Sequence, residues 1–116
     1  MRKAKYRNKP KVLNGIKFDS QKEARRYQEL KLLERAGKIK DLEVQPKFNL
    51  IKGVKFTGDK RAKPDLRYFA DFAYTDMETG ERVVEDVKSV ATKENAIYKM
   101  KRHMMLAIHG IEVREI

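Results

Sequence analysis

"VVEDVKS", residues 83–89, is a valine-rich strand interrupted by three charges, Glu85, Asp86 and Lys88. Charge in a short apolar strand is costly to bury unless it is paired or bound to something. The neighbouring segments supply partners. Upstream, "LRYFADFAY" (66–74) is aromatic and strand-like, and "TDMETGE" (75–81) has the composition of a turn. With the turn centred between Glu78 and Thr79, the numbers of opposed residues sum to 157, which sets Asp71 opposite Asp86. Directly opposed side chains have Cβ atoms about 4.5–5.5 Å apart. Lys88, two residues beyond Asp86, points to the same face, whereas Phe72, Tyr74, Glu85 and Val87 point to the other. A slip of one residue in register would lose the match.

Two carboxylates at that spacing repel, and one has its pKa raised. A divalent cation relieves the repulsion, and oxygen ligands without sulfur suit Mg²⁺ or Mn²⁺. A lysine beside them orients a water nucleophile or stabilises charge on a phosphoryl oxygen. Acid, acid and lysine on one hairpin face, in a basic chain, point to phosphodiester hydrolysis.

The chain of 116 residues fits one domain, 41% hydrophobic and 39% charged, with a modest core and a very polar surface. It has no cysteine, so disulfides and thiolate metal sites are excluded. No apolar run is long enough for a transmembrane helix, and the basic N-terminus lacks a signal peptide's apolar stretch. A reducing, cytoplasmic setting is expected. The net charge is +11, unevenly spread. Residues 1–18 hold seven Lys or Arg and no acid, leaving 21 basic against 17 acidic residues elsewhere. Residues 52–63 hold five more basic residues against one acid. A basic arm and a basic loop form the footprint of a phosphate-backbone partner. Its contacts are assigned to Arg2, Lys3, Lys5, Arg7, Lys9 and Lys11 in the arm, and to Lys60, Arg61 and Lys63 in the loop. A solvated, solubilising tail is the alternative. Tyr6 is placed to stack on a base.

Residues 1–10 read as a mobile basic arm. "VLNGIKF" (12–18) signals a tight type I′ hairpin at Asn14-Gly15. Ser20 and Glu23 fit a capping box, and Ala24, Tyr27, Leu30 and Leu33 recur at helical spacing. Gly37 fits the C′ position, so a helix is predicted over about 21–36. "LEVQPKFNLI" (42–51) reads as one or two strands broken near Pro46, and 52–64 as a loop. After the 66–74 and 82–90 strands, Thr92 is assigned as the cap of a second helix. Ile97, Met100, Met104 and Ile108 line its apolar face and Gly110 stops it. "IEVREI" (111–116) is a closing strand. The order is hairpin, α, β, β, β, α, β.

In this order, "FDSQKEARRYQEL" (18–30), "ADFAY" (70–74) and "EDVKS" (85–89) resemble the PD-(D/E)XK nuclease superfamily. They are most similar to its small phage and prophage members related to Holliday junction resolvases. The resemblance spans about residues 12–116, with Ala70 where the first motif usually carries proline. It implies an α/β, restriction-endonuclease-like αβββαβ core, with a mixed central sheet flanked by helices and preceded by the short hairpin. It further implies that Asp71 and Asp86 hold the metal with help from the Val87 carbonyl. Lys88 would act on the water or phosphate, and Glu23 would complete the site from the first helix. The activity implied is that of a Mg²⁺-dependent endodeoxyribonuclease cutting branched DNA. A homodimer follows, because resolving a junction needs two cuts. If the gene is phage-borne, the setting is a bacterial host cell.

Other readings compete at several residues. Glu23 is also the N3 partner of Ser20. Asp86 and Lys88 also read as an ion pair that deters edge-strand aggregation. Glu85 reads as surface charge or as a partner for a helix. Asp65, in "KPDL", follows a literal proline, but six strand residues span about 20 Å, too far to share a cation with Asp86. His103 and His109 have no partner in sequence, which argues against zinc or a histidine base. Met100, Met104 and Met105 read as core. Lys93, Lys99, Lys101 and Arg102 face DNA or water, with Lys101 a candidate accessory catalytic cation. Two other functions remain open: a nucleic-acid-binding module without catalysis, and a restriction or repair nuclease of the same fold.

Overall fold

The computed structural model describes residues 10–116. Arg2, Lys3, Lys5, Tyr6, Arg7 and Lys9 lie outside the described residues. The chain enters through a hairpin of β1 (Lys11–Leu13) and β2 (Ile16–Phe18). Asn14 and Gly15 have φ of 51° and 77°, the double positive φ that a type I′ turn requires. Helix α1 (Gln21–Arg35) starts where the Ser20 hydroxyl accepts the Glu23 N–H at 3.1 Å. It ends at Ala36, followed by Gly37 at φ 77°.

Five strands follow: β3 (Ile39–Val44), β4 (Lys47–Ile51), β5 (Leu66–Phe69), β6 (Phe72–Asp76) and β7 (Arg82–Asp86). The expected 66–74 strand is therefore two strands, parted at Ala70–Asp71, and the break near Pro46 separates β3 from β4. The 82–90 strand stops at Asp86. A four-stranded mixed sheet has the order β3-β6-β7-β8, where β8 is Arg114–Glu115 and runs parallel to β7. Strands β4 and β5 form a separate two-stranded arm that prolongs β3 and β6 past the bend. Two backbone bonds fasten it there, Gln45 N–H to Asp71 C=O at 2.8 Å and Ala70 N–H to Pro46 C=O at 3.2 Å. Proline at position 70 could not donate the second bond, which explains physically why alanine stands there.

The β6–β7 register is that read from the sequence, with Phe72 opposite Glu85, Ala73 opposite Val84 and Tyr74 opposite Val83. Alternation then sorts the two faces. Phe72, Tyr74, Val83 and Val87 pack with Phe18 and with Ala24, Tyr27 and Leu30 of α1. Phe18, Tyr27 and Phe72 pack with ring centroids 5.0–6.4 Å apart, Tyr27 stacked on Phe72 and Phe18 tilted against both. Ala73 and Val84 face the opposite way, into Leu50, Tyr68, Ala70, Tyr98, Met105 and Val113. The sheet thus lies between α1 and the C-terminal helix.

The second helical region departs from expectation. Thr92 is not its cap. Ser89 caps a short α2 (Val90–Lys93), and Asn95 caps α3 (Ala96–His109), its Oδ1 accepting the Tyr98 N–H at 3.0 Å. Nor is the predicted apolar face the buried one. Tyr98 and Met105 face the core, whereas Ile97 is 65% and Met100 59% exposed and Ile108 is also exposed; Met104 is only half-buried. Gly110 does terminate the helix, at φ 69°. Among the described residues, no helix is long and apolar enough to cross a membrane.

Candidate active site

The place where the β5–β6 strand bends is also where the β6–β7 ladder ends. The Asp71 N–H donates to the Glu85 carbonyl at 3.1 Å, and beyond it the Asp71 side chain takes over from the backbone. Its Oδ2 accepts the Val87 N–H at 2.7 Å. Asp86, next along β7, is fully buried, and its carbonyl accepts the N–H of Ile116, just past β8, at 2.9 Å. The Tyr68 hydroxyl donates to Asp86 Oδ2. Oδ1 is buried without a hydrogen-bond partner, and Lys88 Nζ stands 3.4 Å from it. The Lys88 ammonium in turn sits 5.0 Å above the centre of the Tyr98 ring, and the Tyr98 hydroxyl donates to Glu115 Oε2 at 2.7 Å.

Burial, followed by the hydrogen bond and charge of Asp86, pushes the Asp71 carboxyl up to about 8, against the opposing Val87 N–H. The ionisation of Asp71 is thus opposed by the charge on Asp86. Burial also raises Glu23, together with the charge of Asp19; the Lys88 ammonium opposes this and Asp86 adds to it. Glu23 thus feels the same charges from the first turn of α1. Among the described residues, no group of three or more His, Cys, Asp or Glu side chains is gathered to hold a metal. The donor set is the Asp71–Asp86 pair, with one carboxylate oxygen still unsatisfied. That chemistry fits a hard cation such as Mg²⁺, which binds through one or two carboxylates and keeps several waters.

A raised pKa stabilises the folded state below the window and costs stability as pH rises through it. Metal-free protein is therefore expected to lose stability between about pH 4 and about pH 8, the range between the ordinary Asp value and that of Asp71. Asp71→Asn should flatten this dependence. Denaturant titrations across that range measure it, and equal slopes in parent and variant would show that Asp71 is not the group responsible.

The other candidate residues take structural positions. Asp65 accepts the Gly53 N–H at 2.7 Å and braces the base of the 52–64 loop. Glu85 is no surface charge. It is 1% exposed and paired with α1, accepting from Arg26 Nε at 2.8 Å and Nη2 at 2.6 Å and from the Tyr74 hydroxyl at 2.5 Å. Arg102 donates to the Val113 carbonyl at 3.1 and 3.0 Å, and Lys99 lies 3.5 Å from Glu94. The His109 ring meets the Asn49 carbonyl at 2.8 Å, tying α3 to the arm. Lys101 is half-buried on α3, and Lys11, Lys60, Arg61 and Lys63 are exposed.

Sequence reasoning missed Tyr68 and Tyr98. Strict alternation puts Tyr68 and Asp71 on opposite faces. The bend at Ala70–Asp71 breaks the alternation, so Tyr68 and Asp86 meet. Tyr98 is invisible to the helical pattern that favoured Ile97.

A family model described as a protein of unknown function (DUF1064) matches residues 3–114. No curated protein and no solved structure matches the chain.

Proposed function

For a chain that belongs to the DUF1064 family, we propose the activity of a metal-dependent endodeoxyribonuclease with a restriction-endonuclease-like core. The observation that carries this reading is the Asp71–Asp86 pair, with Lys88 Nζ 3.4 Å from the unsatisfied Asp86 oxygen. A structural ion pair alone leaves the adjacent, strongly raised Asp71 without a purpose. Asp71 and Asp86 would hold a Mg²⁺ or Mn²⁺ ion, with the Val87 carbonyl and Glu23 as further oxygens. When bound, the ion supplies Lewis-acid stabilisation of the phosphoryl oxygen and a more acidic water.

The chain's own residues do the rest. Tyr68 fixes one oxygen of Asp86, so the other is aimed at the site. The Tyr98 ring steadies the Lys88 ammonium, which donates to the attacking water or to the developing charge on phosphorus oxygens. The exposed basic residues Lys11, Lys60, Arg61 and Lys63 would contact the phosphate backbone, as would Arg2, Lys3, Lys5, Arg7 and Lys9 of the arm. Lys101 is a more distant candidate for the same role. Branched DNA such as a Holliday junction is the proposed substrate, cut by two copies of the chain in the cytoplasm, that of a bacterial host cell if the gene is phage-borne.

The test is incubation of end-labelled junction, flap, duplex and single-stranded DNA with Mg²⁺, with Mn²⁺ and with chelator. Nicking of junctions that depends on metal is expected. Binding without cutting under every condition would favour a non-catalytic nucleic-acid-binding module. Cutting of plain duplex at a defined sequence would favour a restriction-type nuclease.

A further inference from the structure

The β4–β5 arm carries a chemistry that the acidic site does not use. Residues 46–70 contain seven Lys or Arg (Lys47, Lys52, Lys55, Lys60, Arg61, Lys63, Arg67) and two acids, Asp59 and Asp65. Both acids bond the arm's own backbone, and Asp59 Oδ1 also lies 3.8 Å from Lys63 Nζ. Asp65 Oδ1 accepts the Gly53 N–H at 2.7 Å, and Asp59 Oδ2 accepts the Phe56 N–H at 3.1 Å. The Lys63 N–H donates to the Val54 carbonyl at 2.6 Å, and the Asp59 N–H to the Phe56 carbonyl at 3.0 Å. At the base, Gly53 packs so tightly that a Cβ there would lie 2.0 Å from the Lys63 carbonyl oxygen. The loop is thus a braced structure rather than a slack connection. At its turn it holds Phe56, 63% exposed, beside Lys55 and within a few residues of Lys60 and Arg61.

An aromatic ring held in water by a rigid turn among cations has a specific use. Nucleic-acid bases stack on aromatic faces while the cations track the backbone. A second protein surface would not need so one-sided a charge, and bases inside a duplex are already stacked on both faces. We infer that the β4–β5 arm binds unpaired nucleotides, with Phe56 as the stacking platform and Lys55, Lys60 and Arg61 on the phosphates. The arm springs from the bend at Asp71, and its ladder from Asp71 to Leu66 spans about 17 Å at strand rise. Unpaired bases at the arm's tip would therefore flank, rather than occupy, the acidic site. The inference rests on nucleic acid being the partner, as in the reading above, but not on cleavage.

The sequence has no tryptophan, so Phe56→Trp installs a single fluorescent reporter at the tip. Metal-free Phe56→Trp protein is titrated with a single-stranded oligonucleotide, a forked duplex and a blunt duplex. The parent and Phe56→Ala are titrated in parallel by anisotropy of labelled DNA. Quenching of the tryptophan by the single strand and the fork, and not by the blunt duplex, is expected. Phe56→Ala should weaken binding to the first two about tenfold, within the range for loss of one base stack. It should leave duplex binding within about twofold. Normal binding of Phe56→Ala to all three DNAs, or an unquenched tryptophan on bound single strand, would overturn the inference while leaving the nuclease reading intact. Failure of the parent to bind any DNA would overturn both. A tryptophan emission that shifts blue with protein concentration alone, with sedimentation at twice the monomer mass, would assign the tip to contact between copies and overturn the inference.

Discussion

Asp86→Asn is expected to abolish metal-dependent cleavage, by on the order of 10³-fold or more, because a ligating charge contributes several kcal/mol of transition-state stabilisation. The change keeps size, shape and an oxygen to accept the Tyr68 hydroxyl, so the fold should survive. DNA affinity measured without metal should hold or rise slightly, since a negative charge near the phosphates is gone. Lys88→Met should also stop cleavage, for a different reason. The two carboxylates remain able to bind the cation, but the water or phosphoryl oxygen loses its donor. Calorimetric titration with Mn²⁺ should therefore show weakened metal binding in Asp86→Asn and near-parental binding in Lys88→Met. If Asp86 and Lys88 are only an ion pair, Lys88→Met leaves a fully buried carboxylate uncompensated and costs about 3 kcal/mol or more of stability, and neither variant changes any activity. Purified Asp86→Asn that cuts branched DNA as well as the parent would end the assignment.

The largest expected loss of stability lies on the other face of the same strand. Arg26→Ala removes both guanidinium bonds to Glu85, a carboxylate that is 1% exposed. Breaking one half of a buried ion pair leaves the other charge uncompensated and costs about 3 kcal/mol or more. The remaining Tyr74 hydroxyl bond, at 2.5 Å, offsets only part of this. Arg26 also lies one turn after Glu23 on α1, so its contact with β7 sets where Glu23 stands relative to Asp86. Chemical denaturation of Arg26→Ala, and of Arg26→Met, Glu85→Leu and the double variant Arg26→Met/Glu85→Leu, measures the loss and the coupling. The double variant is expected to recover most of the loss, because an apolar pair of similar volume avoids the desolvation cost. A change within about 0.5 kcal/mol for Arg26→Ala would show that solvent reaches Glu85 and that the pair does not fasten the helix.

Much of this architecture was written in local pattern. Asn14-Gly15 accepts the positive φ of a type I′ turn, Ser20 caps α1, and Gly37 and Gly110 stop their helices, each through chemistry confined to a few neighbouring residues. The β6–β7 register was equally legible, because a tight turn fixes which residues oppose one another. That register alone brings Asp71 level with Asp86 and puts Glu85 on the opposite face.

The tertiary structure decided the rest. Helical period in α3 is plain, but the face of Ile97, Met100, Met104 and Ile108, though the more apolar in sequence, is not the one the fold buries; the Tyr98–Met105 face is. The choice depends on how the sheet presents Ala73, Val84 and Val113 to the helix, which is a long-range matter. The break at Ala70–Asp71 is likewise set by pairing with Gln45 and Pro46, some 25 residues earlier in the chain. It resets strand alternation and so delivers Tyr68 to Asp86. Glu85 found its arginine 59 residues away, one helix turn from Glu23. Sequence pattern fixes the face and register of a charge when its partner is across a turn. When the partner comes from a distant element, only the packing of helices on the sheet selects it, because burial makes an unpaired charge too costly to keep.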